Sequence, residues 1–308
     1  MEAIVTRELT KRYRSNWGRL RAPSLDRLEL RIGENEVFGF LGRNGAGKTT
    51  AIKILCSLLR PTQGDAFVFG ANVRTRKARE RIGYLPESPY FYEYLTPRET
   101  IDFYGQLHGL DAVSRAREWK KLAELLDLGG IGNQRIREFS KGMRQRLGFA
   151  VALVGNPEVL ILDEPMSGLD PLGRRAFREL ILRLRDEKKT LFFGSHVLAD
   201  VEQICSRVGI LVRGKLTSQG RLDELLTRQI RLVEVIVNRL DSSARAALAT
   251  KASSARESEA GQHFYFDDLA AANDAVRIVH TNGAELVEFT PVRESLEDYF
   301  LRQQEGPP

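Results

Sequence analysis

Gly42-Arg43-Asn44-Gly45-Ala46-Gly47-Lys48-Thr49 fits the pattern G-x-x-x-x-G-K-[ST], whose glycine spacing lets successive backbone N–H groups turn inward around phosphate oxygens. Gly42, Gly45 and Gly47 supply the turning freedom, and the N–H groups of Asn44 and Ala46 complete the cradle. Lys48 reaches the β- and γ-phosphates, and the Thr49 hydroxyl ligates Mg2+. Such a loop needs an acid for the metal, and Val159-Leu160-Ile161-Leu162 ends in Asp163 and Glu164. Asp163 is placed to hold Mg2+ through its water shell, and Glu164 to polarise an attacking water. Alone, an Asp-Glu pair after an aliphatic run reads equally as a solvated strand end; the phosphate loop tips the balance.

Those groups need strands that end together. Leu28, Leu30 and Ile32 alternate with charged residues and break at Gly33-Glu34-Asn35, which predicts a half-exposed strand, and the apolar run Val37–Leu41 predicts a buried one. Residues 159–162 and Thr190-Leu191-Phe192-Phe193-Gly194 read as central strands, the second followed by Ser195-His196. Open α/β sheets place ligands at such carboxyl ends. Thr96-Pro97-Arg98-Glu99 opens a helix with a hydroxyl cap, a proline at the first helical position and a glutamate three residues after the cap. Asp111 caps another helix, expected to stop at Gly129-Gly130. This alternation predicts an α/β architecture with a largely parallel sheet. After Gly220 the pattern changes: strands at 234–237, 264–266 and 285–289 and helices at 242–251 and 268–281 suggest a small β-α-β-β-α-β sandwich. Residues 303–308 read as a frayed tail.

The 308 residues are 42% hydrophobic and 29% charged, ample material for a core. The densest apolar stretch, residues 149–154, falls well short of the roughly 18–20 residues of a membrane-spanning helix, and the amino terminus lacks the layout of a secretion signal. A cytosolic location is expected. Cys56 and Cys205 sit in apolar surroundings and read as small buried hydrophobes. The net charge of +6 conceals a division: residues 1–220 carry 37 Lys+Arg against 26 Asp+Glu, and residues 221–308 carry 10 against 15. Two regions of opposite sign suggest two domains, 1–220 and 221–308.

Between these elements stands Phe139-Ser140-Lys141-Gly142-Met143-Arg144-Gln145-Arg146, and here the sequence resembles the nucleotide-binding subunits of ABC transporters, whose signature loop begins a helix with a Ser-x-Gly core. Ser140 can cap that helix, and its free N–H groups and dipole make a second phosphate site. The resemblance implies a head-to-tail dimer in which the signature of one subunit, here Ser140 and Gly142, closes on ATP held by the phosphate loop of the other. Ser167-Gly168-Leu169-Asp170 resembles the dimer-contacting D-loop, and His196 the switch histidine that contacts the γ-phosphate. Tyr13 stands in the place of the aromatic that stacks on adenine, although a lone aromatic there reads as readily as core packing. Thr50 is implied on the α-phosphate. The resemblance covers residues 3–220. It implies a P-loop NTPase of ABC type, a RecA-like core with an antiparallel β subdomain and a helical subdomain, followed by a small α+β, ferredoxin-like accessory domain that resembles the extension on drug-export subunits.

Departures from the family pattern are informative. Where the family usually has glutamine, Ile82-Gly83-Tyr84-Leu85-Pro86 leads to Glu87, which can still approach Mg2+ but adds negative charge near the triphosphate. That wording resembles the branch that pairs with ABC-2-type membrane subunits, mostly exporters. Tyr90, Phe91, Tyr92 and Tyr94 follow at once, either as anchors in the groove that receives a membrane subunit or as core of the helical subdomain. The expectation is an ATPase subunit using ATP and Mg2+, working as a homodimer or heterodimer, peripheral on the inner face of the membrane, with no nucleic acid. The rivals are a soluble ABC-type ATPase acting on ribosomes or DNA, and a non-hydrolysing regulatory subunit.

Overall fold

Alternation of buried and exposed side chains is clean along residues 28–32 of the outer sheet and broken by register shifts in its neighbour. In β2 (Leu25–Gly33), Leu28, Leu30 and Ile32 are buried while Glu29 and Arg31 face out, and in β1 (Glu2–Lys11) Ala3, Ile4, Thr6, Leu9 and Thr10 are buried. The two pair antiparallel. The chain then enters β3 (Val37–Leu41), whose five residues are all buried, as expected of a strand covered on both faces. After helix α1 (Lys48–Leu55), β4 (Gln63–Val68) and β5 (Ala71–Asn72) complete the outer sheet in the order β2-β1-β4-β5. The computed structural model describes residues 1–14, 20–226, 230–258, 261–293 and 295–305, so part of the stretch after Tyr13 lies outside the described residues.

A single turn, α2 (Arg76–Arg79), leads to β6 (Ile82–Leu85) and then to a helical portion made of α3 (Pro97–Leu107), α4 (Ala112–Leu125) and α5 (Lys141–Leu153). The Thr96 hydroxyl and the Glu99 carboxylate form a complete capping box on α3. The second of these helices stops at Leu125, short of the glycine pair expected to end it. Leu126 and Leu128 are both buried, and residues two apart cannot share one helical face, so the chain turns at Asp127 with φ 52°. The glycines instead open a short 3-10 turn, Gly129–Ile131.

The chain returns to the central sheet through β7 (Val159–Asp163), α6 (Pro171–Asp186), β8 (Thr190–Ser195), α7 (Leu198–Ile204), β9 (Arg207–Val212) and β10 (Lys215–Arg221). The sheet order is β10-β9-β3-β8-β7-β6, parallel except for the β9/β10 hairpin. Its register aligns Leu41 with Ser195, Asp163 with Gly194 and Leu85 with Leu162. Four adjacent strands therefore end at one level. Cys205 is buried, whereas Cys56 is only partly so, and neither is in a disulfide.

The chain divides into two units, Met1–Leu222 and Asp223–Pro308, and the boundary falls in the helical turn α8 (Leu222–Leu225). The second unit runs β11 (Ile230–Asn238), α9 (Ser242–Lys251), β12 (Ser254–Ser258), β13 (Gly261–Phe266), α10 (Leu269–Thr281), β14 (Glu285–Arg293) and α11 (Leu296–Glu305). Its antiparallel sheet, in the order β12-β13-β11-β14, is the ferredoxin-like arrangement. Val233, Val235, Val237, Phe264 and Phe266 pack with Ala272, Ala275 and Val279. Alternation sends Glu234, His263 and Tyr265 to the other face, where Glu234 Oε1 lies 2.7 Å from His263 Nδ1 and accepts from the Tyr265 hydroxyl at 2.8 Å. His263 Nε2 is 2.6 Å from Ser258 Oγ. Residues 303–305, expected in a frayed tail, belong to helix α11, and 306–308 lie outside the described residues.

Candidate active site

The parallel strands deliver their polar groups to one place. The phosphate loop leaves the end of β3, Asp163 and Glu164 stand at the end of β7, His196 follows β8, and Glu87 follows β6. Lys48, Thr49, Thr50, Glu87, Glu164 and His196 line a cavity of about 200 Å³ together with Arg43, Asn44, Gly45, Gly47 and Ser24.

Gly47 shows why the loop needs glycine. Its φ is 114°, and a Cβ there would lie 2.3 Å from the Ser24 carbonyl oxygen. From this turn α1 begins at Lys48, which is 6% exposed; its ammonium donates to the Gly42 carbonyl at 2.6 Å and stands 3.3 Å from Glu164 Oε1. The Thr50 hydroxyl lies 3.0 Å from Ser24 Oγ and 3.5 Å from the Tyr13 hydroxyl. Tyr13 itself is 42% exposed, with the Lys11 ammonium 5.4 Å from its ring centroid, and does not line the cavity.

The acids are held in unusual states. Burial pushes the Asp163 carboxyl up to about 6, and the nearby Glu164 and Glu87 charges act in the same direction, while a hydrogen bond from the Thr49 hydroxyl and the Lys48 charge oppose them. Asp163 Oδ1 is buried without a hydrogen-bond partner. Glu164 has φ 48°, a left-handed conformation that costs a non-glycine residue about 1–3 kcal/mol and is tolerated where surrounding structure imposes it. Its N–H donates to the Gly194 carbonyl at 2.9 Å, and its Oε2 lies 2.9 Å from His196 Nδ1. Its Oε1, near Lys48, is within ion-pair reach but outside hydrogen-bond geometry.

Ser140 lies elsewhere. It caps α5, accepting from the Met143 N–H at 3.3 Å, is exposed, and like Gly142 does not line the cavity. Asp170 likewise caps α6, accepting from the Gly173 N–H at 2.7 Å. The aromatic segment divides: Phe91 is buried, while Tyr90, Tyr92 and Tyr94 are 85%, 51% and 67% exposed. Tyr92 and Tyr94 border a second cavity, of about 690 Å³, with Phe103 and Trp119.

Two contacts on α5 carry no sequence signature. The Arg144 guanidinium donates to Glu93 Oε1 at 3.1 Å, and the buried Gln145 amide donates to the Pro165 carbonyl at 2.9 Å.

A family model described as ABC transporter matches residues 25–167. An ABC transporter ATP-binding protein of Synechocystis is 41% identical over 97% of this chain and 84% of its own length. The bacitracin transport ATP-binding protein BcrA of Bacillus licheniformis is 34% identical over 97% of this chain and 96% of its own. Among solved structures, an ATP-binding subunit of an ABC transporter superposes with a TM-score of 0.65 at 28% identity, covering 72% of this chain and 91% of that one.

Proposed function

The chain belongs to the ABC transporter ATP-binding family, and from that premise we propose that it is the ATP-hydrolysing motor subunit of an exporter, closing head-to-tail on a second nucleotide-binding subunit. The observation that supports this most is the meeting of Lys48, Glu164 and His196 in one cavity while Ser140 stands outside it. One chain thus offers two separated phosphate-binding ends, and a second subunit, either another copy or a homologue, brings them together.

In this reading the phosphate loop wraps the β- and γ-phosphates and Thr50 meets the α-phosphate, with Tyr13 stacking on adenine. The phosphates draw the Lys48 ammonium away from Glu164, leaving that carboxylate to take a proton from the attacking water. His196 keeps Glu164 oriented and contacts the γ-phosphate. Ser140 and Gly142 present the α5 amino terminus to the nucleotide of the other subunit. The Thr49 hydroxyl and the Asp163 and Glu87 carboxylates form a hard oxygen set suited to Mg2+, and the orphaned Asp163 Oδ1 is an atom awaiting a cation. When bound, Mg2+ neutralises charge on the phosphate oxygens.

Among the described residues no helix is long and apolar enough to cross a membrane, so in a transporter role the membrane-spanning part lies outside those residues. Tyr90, Tyr92 and Tyr94 are exposed aromatic anchors for an ABC-2-type membrane subunit, which would hold this chain on the inner face of the membrane. Outward transport draws on the relatives named for bacitracin transport. Glu164→Gln tests the core of the reading: turnover is expected to fall by about a hundredfold or more, with ATP binding retained and an ATP-dependent dimer visible by size-exclusion chromatography. Undiminished hydrolysis would remove Glu164 from its role.

A further inference from the structure

We infer that Gln145 is a positioning residue that carries the signature end's contact with the other subunit's nucleotide to Glu164 of its own chain. The inference rests on the head-to-tail reading above. Ser140 is exposed at the start of α5, and five residues along the same helix Gln145 is 1% exposed. Its side-chain amide donates to the Pro165 carbonyl at 2.9 Å, across 20 positions of sequence, with both partners buried. No solvent reaches this bond to replace it, so breaking it leaves a buried carbonyl unpaired.

Pro165 directly follows Glu164, whose backbone is already in the left-handed region. The proline ring fixes φ and removes the N–H, so a pull on the Pro165 carbonyl moves the residue as a unit, and the planar Glu164–Pro165 peptide passes the movement to the Glu164 backbone. A phosphate docking at the α5 amino terminus displaces a rigid helix, and Gln145 is where that helix grips the catalytic turn. The site receiving the displacement belongs to the chain that supplies Ser140. Each subunit would then sense, at its own carboxylate, whether its signature end is engaged.

The test uses the full-length protein with Gln145→Leu and Gln145→Met, both of similar size and lacking the donor, alone and combined with Ser140→Ala. Expected is a loss of kcat of about tenfold or more with the affinity of the monomer for a fluorescent ATP analogue within about threefold. Because Ser140→Ala already removes the incoming contact, adding Gln145→Leu to it should cost less than about threefold further, whereas a purely structural role would multiply the two losses. Turnover within about threefold of the parent in either folded Gln145 variant, or fully multiplicative losses, would overturn the inference. An ATP-dependent dimer of Glu164→Gln with Gln145 intact is the control: if that dimer fails to form, the head-to-tail reading falls and takes the inference with it. If it forms while the Gln145 variants turn over normally, the inference alone falls.

Discussion

Asp163, proposed above to hold Mg2+, sets stability against that role. Its carboxyl is 2% exposed, faces Glu164 and Glu87, and leaves one oxygen without a partner. A buried ionised carboxylate in that setting is a cost to the folded chain that Thr49 and Lys48 offset only in part and that a bound cation would relieve. Asp163→Asn should therefore raise the melting temperature of the nucleotide-free protein at pH 7.5 by several degrees, about 1–2 kcal/mol, while abolishing the further rise that MgATP gives the parent. Differential scanning fluorimetry with and without MgATP reads both, and a destabilised Asn variant would show that the carboxylate is satisfied in a way its burial does not suggest. Lys48 illustrates the same economy at shorter range, since its ammonium is already compensated by Gly42 and Glu164 before any phosphate arrives.

Helix α5 joins the signature end to the strand that leads to Glu87. It comes so close to β6 and the following loop that a Cβ on Gly148 would lie 2.7 Å from Leu85 Cδ1 and 2.8 Å from Pro89 Cγ. Gly148→Ala gains about 1 kcal/mol of helix propensity but forces a buried leucine and a proline ring apart, at about 1–3 kcal/mol. The expected balance is a lower melting temperature and, because Glu87 lies between the two displaced residues, a higher Mg2+ concentration for half-maximal ATPase activity; an unchanged Mg2+ titration would separate the loop from the metal site. Much at this scale is legible from sequence, because it depends on neighbours in the chain: the capping box of Thr96 and Glu99, the all-aliphatic residues 159–162, the glycines of the phosphate loop. What is not legible depends on residues far apart. Nothing near Gln145 names Pro165 as its partner, and the glycines after α4 conceal a helix that ends four residues earlier to bury Leu126 and Leu128. Glu93 and Arg144 are 51 positions apart and signal nothing individually, yet they tie the aromatic segment to α5.

On the scale of the whole molecule, each unit carries a liability of its own. In the second unit, hydrogen bonds from His263 and then Tyr265 hold the Glu234 carboxyl below its usual value of 4.5. A carboxyl with a depressed folded-state pKa contributes stability that is present above the unfolded value and lost as the pH falls through the folded one. The contribution of Glu234 is therefore intact at pH 6 and disappears below about 4.5, and Glu234→Gln should lower the stability of the second unit at pH 6 while flattening its further loss on acidification. Thermal melts followed by circular dichroism across that range check this, and a parallel pH dependence in the two proteins would refute it. The first unit has a liability of another kind. Three tyrosines within five positions stand at least half exposed, two of them bordering a cavity that Phe103 and Trp119 share with Arg98, Asp102 and Arg115, and exposed aromatic clusters promote self-association when nothing covers them. On the proposal that a membrane subunit covers these tyrosines, chain synthesised beyond the supply of that subunit would accumulate as a sticky surplus, so its soluble yield in a producing cell becomes a gauge of assembly stoichiometry, rising with the subunit's expression and saturating when the two are matched.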